Sequence, residues 1–186
     1  RNIYTLKIAF ERCVRKIPSV ILSNFETEFP KLCSPPFAQR IPDASITADV
    51  IVGFPGETEE QFQETLSLME EVVFDSINTA AYSPRPNTPA AVWDNQVPDD
   101  VKQDRLQRIN ELNKKHAAQR RARMLGRTEE VLVEERNVKV PTQVMGRTRH
   151  GYIVYCEGDI DELRGKTIEV EIDTCQTYYL AGKRVV

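Results

Sequence analysis

The stretch DVIVGFPGET at residues 49–58 decides how the surrounding sequence folds. Its first four residues are the end of the β-branched run SITADVIV at 45–52, which predicts a buried strand. The strand is followed by a tight loop that contains two glycines and a proline. Thr58 is a predicted N-cap, with a glutamine three residues later, for an amphipathic helix at about 59–73. A second short strand within 74–82 follows. Strand, helix and strand in this order predict a βαβ unit with two parallel strands.

The sequence beyond this unit changes from helical to β character near Gly126. The proline-rich run SPRPNTPAA at 83–91 predicts a loop without regular structure. A long helix is predicted over about 101–125, with Asp99 or Asp100 as its cap and Gly126 at its end. Five short strands follow, and the one starting at Thr167 alternates cleanly, with Ile168, Val170 and Ile172 facing inward. They predict a small closed or nearly closed barrel.

Composition and charge are ordinary for a globular chain of 186 residues with a net charge of −3. There is no run of eighteen apolar residues and no convincing signal peptide, so we expect a cytoplasmic protein that does not enter a membrane. The segment 101–127 holds nine basic and two acidic residues. This segment is either a phosphate-facing surface or a solvated helix face.

Two candidate ligand-binding segments follow the two predicted parallel strands. The first is GFPGET at 53–58, and the second begins at Tyr82 and includes Ser83 and Arg85. Ligands bind at the carboxyl edge of parallel strands, and an arginine there can bind a carboxylate or a phosphate with its planar fork. The alternatives are an ordinary strand-to-helix turn and a surface loop with a solvated arginine.

A third candidate is the segment MGRTRHGYIVY at 145–155, where cations lie beside aromatic residues at a predicted hairpin. The cations are Arg147, Arg149 and His150, next to Tyr152 and Tyr155. This combination indicates an RNA-binding surface. The alternative is a charged hairpin tip with core tyrosines. Since 126–186 holds nine basic and eleven acidic residues, RNA affinity has to come from a local patch.

No catalytic or metal site can be recognised from the residues alone. The four cysteines at 13, 33, 156 and 175 show no C-x-x-C spacing, and we expect independent reduced thiols. Neither His116 nor His150 has a partner at metal-binding spacing, and no nucleophile–base arrangement is apparent.

Taken together, these segments resemble one family. DASITADVIVGFPGETEEQF, FDSINTAAYSPRPNTPAA and EVLVEE followed by MGRTR, in this order, are similar to the C-terminal half of MiaB-type tRNA methylthiotransferases of the radical S-adenosylmethionine class. The resemblance covers 40–186, roughly four-fifths of the chain. The arginine in YSPRP favours the tRNA enzymes over related enzymes that modify a ribosomal protein.

The resemblance implies an α/β fold, the last βα units of a partial TIM-like barrel at 40–125, followed by an all-β TRAM barrel at 126–186 that binds RNA. Residues 1–39 resemble no part of the family and stay unassigned. The family adds a methylthio group at C2 of N6-isopentenyladenosine next to the tRNA anticodon. S-adenosylmethionine serves as radical source and methyl donor, and the tRNA anticodon stem-loop is the implied partner.

The resemblance also implies roles for individual residues. Ile51, Gly53 and Glu57 match the motif that supports the adenosine end of S-adenosylmethionine. Tyr82, Ser83 and Arg85 match the next strand end, which faces the same cavity, and Arg147 and Arg149 match the TRAM segment GRTR. Asn87 replaces a common glycine, and we expect it to keep the turn because asparagine tolerates a left-handed backbone.

One departure from the family concerns its [4Fe–4S] clusters. The C-x-x-x-C-x-x-C motif that holds the radical-generating cluster is missing from this sequence, as are the three cysteines of a second cluster. We therefore expect this chain alone to be inactive, with a separate polypeptide as one source of the N-terminal half. The alternatives are a non-catalytic tRNA-binding module and a mis-joined reading frame over 1–39.

Overall fold

The structure is a computed structural model that describes residues 44–185. The described part divides into two compact units, 44–113 and 114–185, and each is considered by itself. The expectations for 1–39, including those for Cys13 and Cys33, lie outside the described residues. No helix within 44–185 has the length and apolar character needed to cross a bilayer.

The first unit contains the predicted βαβ arrangement. Strand β1 is Thr47–Val52, helix α1 is Glu59–Val72 and strand β2 is Ser76–Ala81. The two strands are parallel, from the pair Thr47 and Ser76 to the pair Val52 and Ala81. The parallel pair predicted from the alternation of strand and helix signals is confirmed.

Helix α1 begins with the predicted capping box. The Thr58 hydroxyl accepts a hydrogen bond from the Gln61 backbone N–H at 3.3 Å, and the Gln61 side chain accepts one from the Thr58 N–H at 3.0 Å. These two bonds satisfy backbone donors that the first helical turn leaves free. They fix where the helix starts and therefore where the preceding loop ends.

Helix α2, Asp99–Ala122, begins two residues earlier and ends three residues earlier than predicted. Asp99 and Asp100 lie in its first turn instead of capping it, and carboxylates there interact favourably with the helix dipole. The helix runs through both units. In the first unit, Ile109 is fully buried with Phe62 of α1 and Val52 of β1 in one apolar cluster.

The proline-rich segment 83–91 is more ordered than predicted. A short 3-10 helix spans Pro89–Val92, with proline at its start, where a missing N–H costs no intrahelical hydrogen bond. Asn87 has a φ of 66°, so the expected left-handed turn at this asparagine is confirmed.

The second unit is built around a closed five-stranded barrel, as predicted. Its strands are β3 Thr128–Arg136, β4 Gln143–Thr148, β5 Ile153–Glu157, β6 Thr167–Cys175 and β7 Leu180–Arg184. They pair in the order β3-β4-β5-β7-β6, with β3 also paired to β6. All pairs are antiparallel except the parallel pair of β5 and β7.

Alternating side chains fill the barrel. The predicted inward residues Ile168, Val170 and Ile172 are buried, together with Val131 and Val154 on other strands. A one-turn helix, α3, at Ile160–Leu163 was not predicted, and its Leu163 packs into the same core. The core therefore occupies one side of every strand, and the other side faces outward.

Candidate nucleic-acid interface

The loop after β1 is held by contacts within the first unit. The Glu57 carboxylate accepts a hydrogen bond from the Gly53 N–H at 2.6 Å and forms an ion pair with Arg105 at 2.7 Å. Arg105 also donates to the Glu57 carbonyl at 3.2 Å, and its guanidinium lies 5.3 Å from the centre of the Phe62 ring. Gly53 has a φ of +73°, which favours glycine, and a Cβ there would overlap the Lys102 side chain. Helix α2 therefore fixes the shape of this loop.

The predicted cofactor residues lie at this carboxyl edge with different exposures. Ile51 is exposed, Gly53 is buried, and the Glu57 side chain is 8% exposed and occupied by Gly53 and Arg105. Ser83 and Arg85 are exposed. The structure thus places Glu57 where it shapes the loop, while a role in cofactor binding stays a prediction for these residues.

Aromatic side chains line the same edge. Phe54 lies edge-on to Tyr82, with ring centres 5.1 Å apart, and to Trp93, at 5.8 Å. The Tyr82 hydroxyl is buried and has no hydrogen-bond partner among residues 44–185. The Lys102 ammonium lies 6.0 Å from the centre of the Tyr82 ring and forms an ion pair with Asp99 at 3.0 Å. Phe54, Trp93 and Lys102 were not identified from the sequence, because their approach to Tyr82 depends on the fold.

No metal site is visible among residues 44–185, where no group of three or more His, Cys, Asp or Glu residues could hold an ion. Cys156 and Cys175 are free thiols. Burial raises the pKa of both, so neither is prone to form the thiolate that binds metals.

In the second unit, the predicted RNA-binding residue Arg147 lies near the end of β4, and Arg149 and His150 lie in the β4–β5 turn. The Thr148 hydroxyl accepts hydrogen bonds from the N–H groups of His150 and Tyr152, each at 3.2 Å. Gly151, with a φ of +80°, completes the tight turn. Thr148 therefore holds Arg149 at the tip of the hairpin, a local role that a hydroxyl before a glycine turn could have signalled.

Arg147 and Arg149 are both at the surface and both paired. The Arg147 guanidinium contacts Glu134 at 3.1 Å, and Arg149 contacts Glu130. Their side chains are 49% and 70% exposed. Ion pairs this exposed contribute only about 0.2–1 kcal/mol, so the guanidinium groups can exchange a carboxylate for a phosphate at little cost.

His150 and Tyr152 are less available than the sequence suggested. The His150 side chain is 16% exposed and stacks on Tyr152 with ring centres 5.8 Å apart. Tyr152 is itself buried, with the Arg121 guanidinium 5.1 Å from its ring centre. Tyr152 is therefore part of the packing between α2 and the barrel, and of the two tyrosines only Tyr155 belongs to the outer surface.

The cations of the basic block within α2 differ in their exposure to solvent. Lys102, Arg105 and Arg121 are buried, and Arg108 pairs with Glu59 and Asp104. For Glu59, burial raises the pKa, but the hydrogen bonds from Gln63 and Arg108 outweigh it and the pKa is lowered, which keeps this ion pair charged. The exposed cations of the block lie in its second half, at Lys114, Lys115 and Arg123.

The outer surface of the barrel divides by charge. Strands β3 and β6 carry six outward carboxylates, at Glu130, Glu134, Glu135, Glu169, Glu171 and Asp173. Strands β4, β5 and β7 carry one, Glu157, together with the cations Arg147, Lys183 and Arg184. An anionic ligand is repelled by the first side and accepted by the second.

A small closed barrel with a cationic hairpin and one side low in carboxylates defines a class of nucleic-acid-binding module. Residues 122–185 match the family model of the TRAM domain. The match covers about a third of the chain and includes all five barrel strands. The chain thus carries a TRAM domain, which is an RNA-binding module, and the barrel predicted from the sequence is confirmed.

Proposed function

We propose that this chain is the tRNA-binding part of a tRNA methylthiotransferase, with the TRAM barrel binding the anticodon stem-loop. The observation that carries the proposal is the TRAM match at 122–185 on a barrel whose exposed Arg147 and Arg149 flank its carboxylate-poor side. Arginine can bind a phosphate through two parallel hydrogen bonds. The choice of tRNA rests on the resemblance of the GFPGET and YSPRPNTPAA segments.

The role of the two arginines predicts a change in the salt dependence of binding. Arg147→Ala with Arg149→Ala should weaken binding of a tRNA anticodon stem-loop and lower the slope of log affinity against log salt by about one per side chain. Fluorescence anisotropy of the full chain at several salt concentrations measures both quantities.

A matched double variant controls for net charge. Arg136 and Lys139 lie at the opposite end of β4 from Arg149, on β3 and the β3–β4 connection. Arg136→Ala with Lys139→Ala removes the same charge and should leave the slope nearly unchanged. If both pairs lower the slope equally, the arginines only contribute to net charge. If the unaltered chain does not bind the stem-loop, the proposed function is wrong.

The first unit supports a second element of the proposal, a site for the adenosine end of S-adenosylmethionine. Phe54 and Tyr82 offer aromatic surface at the carboxyl edge of β1 and β2, and the buried Tyr82 hydroxyl lacks a partner within the described part of the chain. A buried polar group without a partner is rare, and a ligand atom would satisfy it. S-adenosylmethionine would supply the methyl group and the radical in the family reaction. That reaction also needs iron–sulfur clusters, and residues 44–185 show no group of ligands for one.

This proposal predicts binding that does not require turnover. Equilibrium dialysis of the full chain against radiolabelled S-adenosylmethionine should give saturable binding that adenosine competes. Tyr82→Ala should weaken it roughly tenfold, the effect of losing a contact that contributes on the order of 1.4 kcal/mol. Tyr178→Ala, on the barrel, is the control and should have no effect. An absence of saturable binding would show that this edge holds no nucleoside.

A further inference from the structure

The outer side of β4, β5 and β7 carries a cluster of tyrosines that the proposed phosphate contacts do not use. Tyr155 on β5 lies opposite Met145 on β4 and Ala181 on β7. Tyr179, just before β7, packs edge-on against Tyr155 with ring centres 5.4 Å apart. Tyr178 is its neighbour in the β6–β7 connection. We call Tyr155, Tyr178 and Tyr179 the tyrosine cluster.

These rings are accessible to a ligand. Tyr178 is 67% exposed and Tyr179 is 40% exposed, while Tyr155 is partly covered by Tyr179. The hydroxyl groups of the three tyrosines form no hydrogen bond with any residue from 44 to 185. Tyrosines whose role is to complete a core usually bury the ring and pair the hydroxyl, as buried polar groups require. This cluster does neither fully.

Charge on the same side of the barrel favours a nucleic-acid ligand over an apolar protein surface. Arg147 lies opposite Ile153, two residue pairs along β4 and β5 from the pair of Met145 and Tyr155, and therefore on the same side of the sheet. In such a sheet, diagonal neighbours lie about 7–8 Å apart, which is within the span from a base to its phosphate. The cluster and Arg147 therefore offer aromatic surface and a cation at the spacing of one nucleotide.

We propose that the tyrosine cluster stacks unpaired nucleobases, so that this barrel selects single-stranded or looped RNA over duplex RNA. The inference rests on the proposed RNA-binding function and adds the structural class of the RNA. Bases inside a helix are already stacked and cannot reach a flat protein surface, whereas bases in a loop can leave the stack and lie against an aromatic ring. Stacking is tolerant of sequence because every base has a π-face.

The test compares two RNAs that bind the full chain, a hairpin with a wide unpaired loop and a duplex with the same number of phosphates. Tyr179→Ala should weaken binding of the hairpin by roughly tenfold and leave duplex binding unchanged. Tyr179→Phe keeps the ring and should bind like the unaltered chain. Because stacking releases no counterions, the salt dependence should not change with either variant. Val138→Ala, at an apolar side chain that is 93% exposed in the β3–β4 connection, is the control.

A spectroscopic measurement detects stacking directly and does not depend on affinity. With 2-aminopurine at a loop position, its fluorescence should fall on binding to the unaltered chain and stay higher with Tyr179→Ala and Tyr155→Ala at saturating protein. Equal losses of affinity for hairpin and duplex, or unchanged hairpin binding, would overturn the role of the cluster while leaving RNA binding itself intact. If neither RNA binds, the proposed function fails and the cluster loses its ligand.

Discussion

Arg105→Ala is expected to lower the free energy of unfolding of the first unit by about 3–5 kcal/mol, the cost of breaking a buried ion pair by removing one partner. The Arg105 and Glu57 side chains are only 5% and 8% exposed, and their charged atoms are 2.7 Å apart. Without the guanidinium, a buried carboxylate would keep only its bond to the Gly53 N–H. Urea denaturation followed by far-UV circular dichroism measures the loss.

Arg108→Ala is the matched control, because it removes the same side chain one turn further along α2. Arg108 also lies over Phe62, at 4.6 Å from the ring centre, but it is 33% exposed and its carboxylate partners Glu59 and Asp104 are more exposed still. Exposed pairs contribute about 0–1 kcal/mol, so its loss should be several times smaller. Equal effects of the two substitutions would show that the buried pair does not hold the loop.

Gly182→Ala is expected to destabilise the barrel by about 1–3 kcal/mol, the usual cost of forcing added atoms into a tightly packed position. A Cβ at Gly182 would overlap the Glu171 carbonyl oxygen on the paired strand β6, and backbone on both sides has little freedom to move. Thermal unfolding of the full chain, monitored by the tyrosine near-UV signal, should show a lower midpoint for the barrel.

Gly158→Ala separates this effect from the loss of glycine itself. Its added Cβ would meet the end of the Leu163 side chain at 2.7 Å, which can rotate away, and Gly158 has no left-handed backbone that would add strain. Its cost should therefore be smaller than that of Gly182→Ala. A larger effect at Gly158 would mean that the approach of β6 and β7 is looser than it is in this structure.

Local patterns were sufficient to predict the βαβ unit and the closed barrel, but not the one-turn helix α3 or the 3-10 helix at Pro89–Val92. The alternation of Ile168, Val170 and Ile172 placed one side of a strand in a core, and the threonine before α1 located a helix start. Each of these signals lies within a few residues of the feature it predicts. The same holds for the left-handed turn at Asn87.

The contacts that shape the sites were not predictable, since their partners are far apart in sequence. Arg105 was counted in a basic block that could face phosphate, but it is buried against Glu57, which lies 48 residues earlier. Tyr155 meets Tyr179 only because β5 and β7 pair in parallel, and nothing in either segment indicates that pairing. His150 looked like an accessible cation until Tyr152 and Glu129 were placed beside it.

The pairing of β5 with β7 is the shortest in the barrel, with only the residue pairs Val154–Leu180 and Tyr155–Ala181. A closed sheet opens at the lowest free energy between two strands that pair over so few residues, because few hydrogen bonds must break. Tyr155 lies on β5, and Tyr179 directly precedes β7. A nucleobase that contacts both rings would link β5 to β7. By thermodynamic linkage, occupancy would then make the protein itself harder to unfold.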